Sequence, residues 1–169
     1  MRRTILAGLG AIGAMALSGC FMSDPEPPYL GFRVSTGQVE VFVPLCQGES
    51  ITEISGADVT GKRRELFAAA RPTVPEAGAG RVVVLGASGS GRSAWVPTGF
   101  AERKVHEEVP ALPKLLEVGY RSALADSAGV VDTEKAADVQ TPGQYWTRKG
   151  ARTAEQISRQ LKCNATRSY

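Results

Sequence analysis

The sequence predicts a mainly β protein, a small antiparallel β-sandwich carrying one C-terminal α-helix. Three observations lead there. Val39, Val41 and Val43 alternate with Glu40 and Phe42, the period of two that marks a strand with a buried face. Arg81-Val82-Val83-Val84-Leu85 is a continuous apolar run of strand length, as expected for a strand inside a sheet. Thr153-Ala154-Glu155-Gln156 matches a capping box, with Ile157 and Leu161 one helical turn apart behind it. The alternative on the same signals is an α+β fold with one covered sheet.

The chain begins with a different kind of segment. Arg2 and Arg3 precede an uncharged run from Ile5 to Leu17. That run is too short to span a bilayer, which takes roughly 20 apolar residues, and has the length of a signal-peptide core. It ends in Leu17-Ser18-Gly19-Cys20. This tetrad resembles the lipobox of bacterial lipoproteins at all four positions. The resemblance covers the leader alone. It implies cleavage between Gly19 and Cys20, a diacylglyceryl group on the Cys20 thiol with a second acyl group available to the new amine, and a lipid-anchored protein on the extracytoplasmic face of a cell membrane. Two acyl chains hold a protein stably where one holds it marginally. Within the leader, Gly8-Leu9-Gly10-Ala11-Ile12-Gly13 spells G-x-G-x-x-G, but no strand precedes it, so it is no dinucleotide site.

Three parts follow: residues 1–19 as the cleaved leader, 20–28 as a proline-rich tether, and 29–169 as a single globular domain. Ser23-Asp24-Pro25-Glu26-Pro27-Pro28 favours extended polyproline geometry. A mature chain of this size is one domain's worth and can bury a core. At 43% hydrophobic and 22% charged residues it is globular in class. Losing Arg2 and Arg3 brings 20 basic side chains to 18 against 17 acidic ones, which removes the electrostatic case for nucleic acid. With Cys20 lipidated, Cys46 and Cys163 remain as an even pair in an oxidising compartment, and a disulfide between them is expected. Free thiols are the alternative.

Along the domain, Tyr29 to Val34 reads as the first strand and Gly37 as a turn. The valine strand follows, with Phe42 suggesting that its second face is also covered. Cys46 to Glu49 is a turn, and Ile51 to Val59 a strand interrupted at Gly56. Residues 62–70 fit helix or strand, stopped by Pro72; 75–80 and 86–93 read as loops. Ala94-Trp95-Val96 is a short strand ended by Pro97 and Gly99. Leu115 to Leu124 contains an alternating strand, Val130-Val131 a short one, and Gln144 to Thr147 the last, before the helix that would carry Cys163. In strand density and turn spacing the domain resembles immunoglobulin-like sandwiches, departing from them in a cysteine on a helix rather than on a late strand.

Candidate chemistry is sparse. Gly86-Ala87-Ser88-Gly89-Ser90-Gly91-Arg92-Ser93 matches a phosphate-binding loop except that Arg92 replaces the lysine, and the next residues propagate no helix. The favoured reading is a turn between strands; Ser88, Ser90 and Arg92 keep the capacity to hold an anionic group. The G-x-S-x-G elbow is absent, since position 90 is Ser. The single histidine, His106, argues against a histidine-based metal centre. Trp95, Tyr145 and Trp146 could form a sugar platform but fit core positions better. Lys62-Arg63-Arg64 and Arg148-Lys149 read as solvated clusters, with contact to anionic headgroups as the alternative. The Asn164 sequon carries no weight in a bacterial chain. The expected function is therefore a non-catalytic binding or scaffolding domain of the cell envelope. It would need no metal or cofactor and would meet an unidentified envelope protein or glycan. The alternative is an envelope hydrolase using His106 or a pair of carboxylates.

Overall fold

The computed structural model describes residues 28–35, 37–89, 92–106, 111–161 and 163. The leader, the tether before Pro28, and with them Gly19 and Cys20 lie outside the described residues. Sheet A contains β1 (Gly31–Ser35), β2 (Gln38–Phe42), β5 (Arg81–Gly89), β6 (Arg92–Pro97), β10 (Gln144–Thr147) and β11 (Gly150–Thr153). Its order is β11-β10-β1-β2-β5-β6. Sheet B contains β3 (Ile51–Asp58), β4 (Arg64–Pro72), β7 (Phe100–Val105), β8 (Leu115–Ser122) and β9 (Asp126–Asp132), in the order β7-β4-β3-β8-β9. Every pairing is antiparallel. Three short helices, α1 (Pro75–Gly78), α2 (Thr133–Ala137) and α3 (Ala154–Ser158), complete the described elements.

The sheets pack through their inner faces, as alternation dictates. Val39, Val41, Val82 and Val84 of sheet A meet Ile54, Phe67, Leu116 and Val118 of sheet B, all buried in one cluster. This is the predicted sandwich, and the α+β alternative does not hold. Gly56 does mark an irregularity: the β3–β4 register shifts between Gly56 and Ala57, and Gly56 leaves room for the Phe67 ring, which a Cβ there would meet at 2.2 Å.

Several local readings need correction. Of the two readings left open for residues 62–70, strand holds over 64–72, because Leu66 and Phe67 both point into the core at that irregularity and pull the alanines into the ladder. The expected loop at 75–80 contains α1, begun by Pro75 at a position where its missing N–H costs nothing. The expected loop at 86–93 is mostly ladder, since β5 and β6 pair as far as Gly89 and Arg92. Strand β10 is not the last; β11 returns against it. Strand β7 and helix α2 have no counterpart in the sequence reading. The predicted C-terminal helix is present as α3, and its capping box forms in both directions between Thr153 and Gln156, but it ends at Ser158, so Leu161 and Cys163 lie beyond it rather than on it.

Helix α3 lies on the outer face of sheet A. Ile157, fully buried, reaches Gly31, where a Cβ would meet Ile157 Cδ1 at 2.6 Å and Tyr145 Cβ at 2.8 Å. The Phe42 and Tyr145 rings lie 5.4 Å apart on the same face, which accounts for the apolar residue there. The two ends of the sandwich differ. At one, the hairpins β1–β2, β3–β4 and β5–β6 turn. At the other, β1 begins, β2 ends and the Cys46–Cys163 disulfide closes, with the Cα atoms 5.4 Å apart.

Candidate functional site

Three places hold chemistry-bearing side chains. The first is at the hairpin end, where β7 delivers His106. The His106 backbone N–H donates to Leu66 O at 3.0 Å, and its Nε2 lies 3.6 Å from Glu65 Oε2. Glu65 also meets Arg63 at 3.3 Å, and Arg63 meets Glu117 at 2.9 Å. His106, Glu65 and Arg63, with Asp58, Gly61, Lys62 and Arg64, line an open depression of ≈ 620 Å³. Burial pushes the Asp58 carboxyl up, but the Thr60 N–H and hydroxyl and the Arg64 guanidinium outweigh it and hold the group below the usual carboxylate range. Glu117 first, then Glu65, raises the basicity of Arg63. The arrangement pairs a histidine with a carboxylate beside three cationic residues. It can hold an anion or pass a proton, but the lining has no serine, threonine or cysteine to act as a nucleophile.

The second is a shallow trough of ≈ 350 Å³ on the outer face of sheet B. Register builds it. Lys104, Ala68, Ser55, Gly119 and Ala128 stand side by side across all five strands. One step along the strands, Glu102, Ala70, Glu53, Arg121 and Asp126 form a parallel row. Arg121 lies 2.8 Å from Glu53 and 3.2 Å from Asp126, and Arg71 pairs with Glu102. Asp126 first, then Glu53, raises the basicity of Arg121. The Glu65–Arg63–Glu117 set bounds the other side. The floor is thus made of short side chains between two ion-paired rims. In both rims an arginine sits between the carboxylates, which face the guanidinium rather than a space for a sugar ring.

The third is the disulfide end. Cys46 N–H donates to Glu49 Oε2 at 2.9 Å, and the Ser122 hydroxyl donates to Glu49 Oε1. Gln160 clamps Tyr29 with two bonds of 2.8 Å, accepting from its N–H and donating to its carbonyl. Arg148 and Lys149 stand over the Tyr29 ring at 5.7 and 5.5 Å from its centre.

The expected anion-holding loop divides: Ser88 is on β5, Arg92 is on β6, and Ser90 lies outside the described residues. A strand follows Arg92 where a phosphate loop needs a helix N-terminus, so that reading ends. Trp95 and Tyr145 are core residues and Trp146 is partly buried, so they form no exposed platform. The buried Trp95 Nε1 has no hydrogen-bond partner among the described residues. Burial, then the hydrogen bond to Glu40, pushes the Tyr145 hydroxyl up to about 12. Among the described residues no cluster of three His, Cys, Asp or Glu could hold a metal ion, and no helix is long and apolar enough to cross a membrane. The trough and the Gln160 clamp were missed by sequence reading: each joins residues far apart in the chain. Comparison with protein-family models, curated proteins and solved structures found no match.

Proposed function

We propose that the protein is a lipid-anchored, extracytoplasmic binding or scaffolding module of a bacterial cell envelope, without catalysis of its own. One observation carries this reading: Leu17-Ser18-Gly19-Cys20 closes a signal-length apolar run and is followed directly by a proline-rich tether. The domain plan supports it. The chain enters at Tyr29, at the disulfide end, so a body tethered there presents the β1–β2, β3–β4 and β5–β6 turns outward. The Cys46–Cys163 bond fits an oxidising compartment. The sheet B trough offers a face that an extended protein segment or a glycan chain can approach closely, because its floor has no bulky side chain.

The test is the intact mass of the protein extracted in detergent, with and without reductant. The expected species starts at Cys20, carries a diacylglyceryl group and gains two hydrogens on reduction. A chain still beginning at Met1 and unlipidated sinks the proposal. The rival reading, an envelope hydrolase, has the His106–Glu65 contact in its favour. Release of soluble fragments from purified cell-wall glycan by the wild type, abolished in His106→Ala, would establish it instead.

A further inference from the structure

Four strands stand at sheet edges: β6 and β11 in sheet A, β7 and β9 in sheet B. An edge strand offers unpaired N–H and C=O groups to another chain, and charge, proline or shortness ordinarily blunts it. Three of the four are blunted in this way. Strand β6 carries Arg92 and Pro97, β7 carries Glu102, Arg103 and Lys104 in succession, and β11 has only four residues, one of them Arg152. Strand β9 differs. Its seven residues, Asp126-Ser127-Ala128-Gly129-Val130-Val131-Asp132, include no lysine, arginine or proline, and its charges stand at the two ends. Val130 is 52% exposed on the outer face, with Ala128 exposed beside it. The ladder of β9 runs to β8, and among the described residues no backbone hydrogen bond reaches its other side. Leu30 lies beneath Gly129, where a Cβ would meet it at 3.3 Å, and closes the core under the edge without bonding to it.

The strand is also symmetric about Gly129. Laid antiparallel on itself with Gly129 at a two-fold axis, β9 sets Ala128 opposite Val130 twice on the outer face. At each end Asp126 comes opposite Asp132, and both carboxylates arrive with a cation: Arg121 lies 3.2 Å from Asp126, and Lys135 lies 3.9 Å from Asp132. Slipping the register either way sets Val130 against Asp126 or Ala128 against Asp132, which pairs apolar with charged. We propose that β9 pairs antiparallel with β9 of a second copy of this chain, joining the two B sheets edge to edge. Pairing goes beyond the anchored module and does not depend on the lipid. The axis runs perpendicular to sheet B, so both troughs face the same side. The disulfide ends point in opposite directions, so a pair lies with its strands along a membrane where a single body stands. One strand is a small contact for a dimer, so pairing depends on concentration.

The experiment uses the full chain in detergent. Purified Ala128→Cys and Val130→Cys variants are mixed in equal amounts and oxidised mildly, with Cys46 and Cys163 already bonded to each other. Cross-links are located by mass spectrometry of the linked peptides. A mixture of Glu102→Cys and Lys104→Cys, on the blunted edge β7, controls for chance encounters within a micelle. The expected result is a 128–130 cross-link in the β9 mixture, little from either β9 variant alone and none from the β7 mixture. In sedimentation, the wild type should rise from the mass of a monomer to that of a dimer with concentration. Val130→Lys, at an exposed position, should stay monomeric with an unchanged urea midpoint. A wild type that is monomeric at every concentration overturns the pairing. So do β7 or single-variant cross-links as abundant as those of the β9 mixture, and β9 cross-links that need a different protein to be present.

Discussion

On the outer face of sheet A, Ile157 descends onto Gly31 beside Tyr145 and Phe42. On the outer face of sheet B, the corresponding middle row is Ala68, Ser55, Gly119 and Ala128. The two sheets share a core and differ in how their second faces meet water. Sheet A carries large apolar side chains there and needs a cover. The cover is a single helix of five residues, too short to be stable alone, so it is fastened by its capping box, by Gln160 and by the disulfide. Sheet B instead sets small side chains in its middle row and charged, paired ones beside it, with Val130 left exposed on the edge strand β9. A face that must be covered is thereby committed to the fold, whereas a face of small residues stays free for a partner.

The largest effect that would break this contrast comes from removing the fastening. Cys46→Ser, or reduction, should cost about 5 kcal/mol, since the bond closes a separation of 117 residues. Urea unfolding with and without reductant measures it, and a loss below about 1 kcal/mol would mean that the cover holds without its staple. Next, Ile157→Ala should destabilise by roughly 3 kcal/mol, because a fully buried side chain leaves a cavity against Gly31 and Tyr145. The matching insult on sheet B, Ala68→Leu in the trough floor, should shift stability by no more than about 0.5 kcal/mol while filling the groove.

Alkaline pH sharpens the same comparison. The Tyr145 hydroxyl ionises at its usual 10 in the unfolded chain and only at about 12 in the folded one. Its contribution is fully present below pH 10 and is lost as pH rises from 10 through 12, on the order of 2 kcal/mol in total. Tyr145→Phe should flatten that limb relative to wild type in pH-dependent unfolding. A second small effect belongs to sheet B: Arg63→Gln should leave the urea midpoint almost unchanged, because Arg63 and Glu65 are open to solvent.

What sequence could show follows the same division. The valine alternation, the Arg81–Leu85 run and the Thr153–Gln156 box are local signals, and each became the element expected. Strand β7 gave no signal because residues 101–105 are all exposed: it overhangs the sheet edge, and even its inward positions Arg103 and Val105 meet water. Strand β4 was obscured by two consecutive inward residues, Leu66 and Phe67, followed by three alanines that favour helix. The trough was illegible for a deeper reason. Alanine, serine and glycine at positions 68, 55 and 119 mean nothing singly, and only the register between distant strands sets them side by side.

The disulfide has a further consequence for a chain that has been cut. Between Cys46 and Cys163 lies the exposed hairpin turn at 60–63, where a protease would cut first. A cut there divides the polypeptide, but both fragments remain bonded through the cysteines. Clipping therefore does not split the molecule. Under oxidising conditions a nicked molecule stays in one piece, and only reduction together with cleavage would separate the two parts.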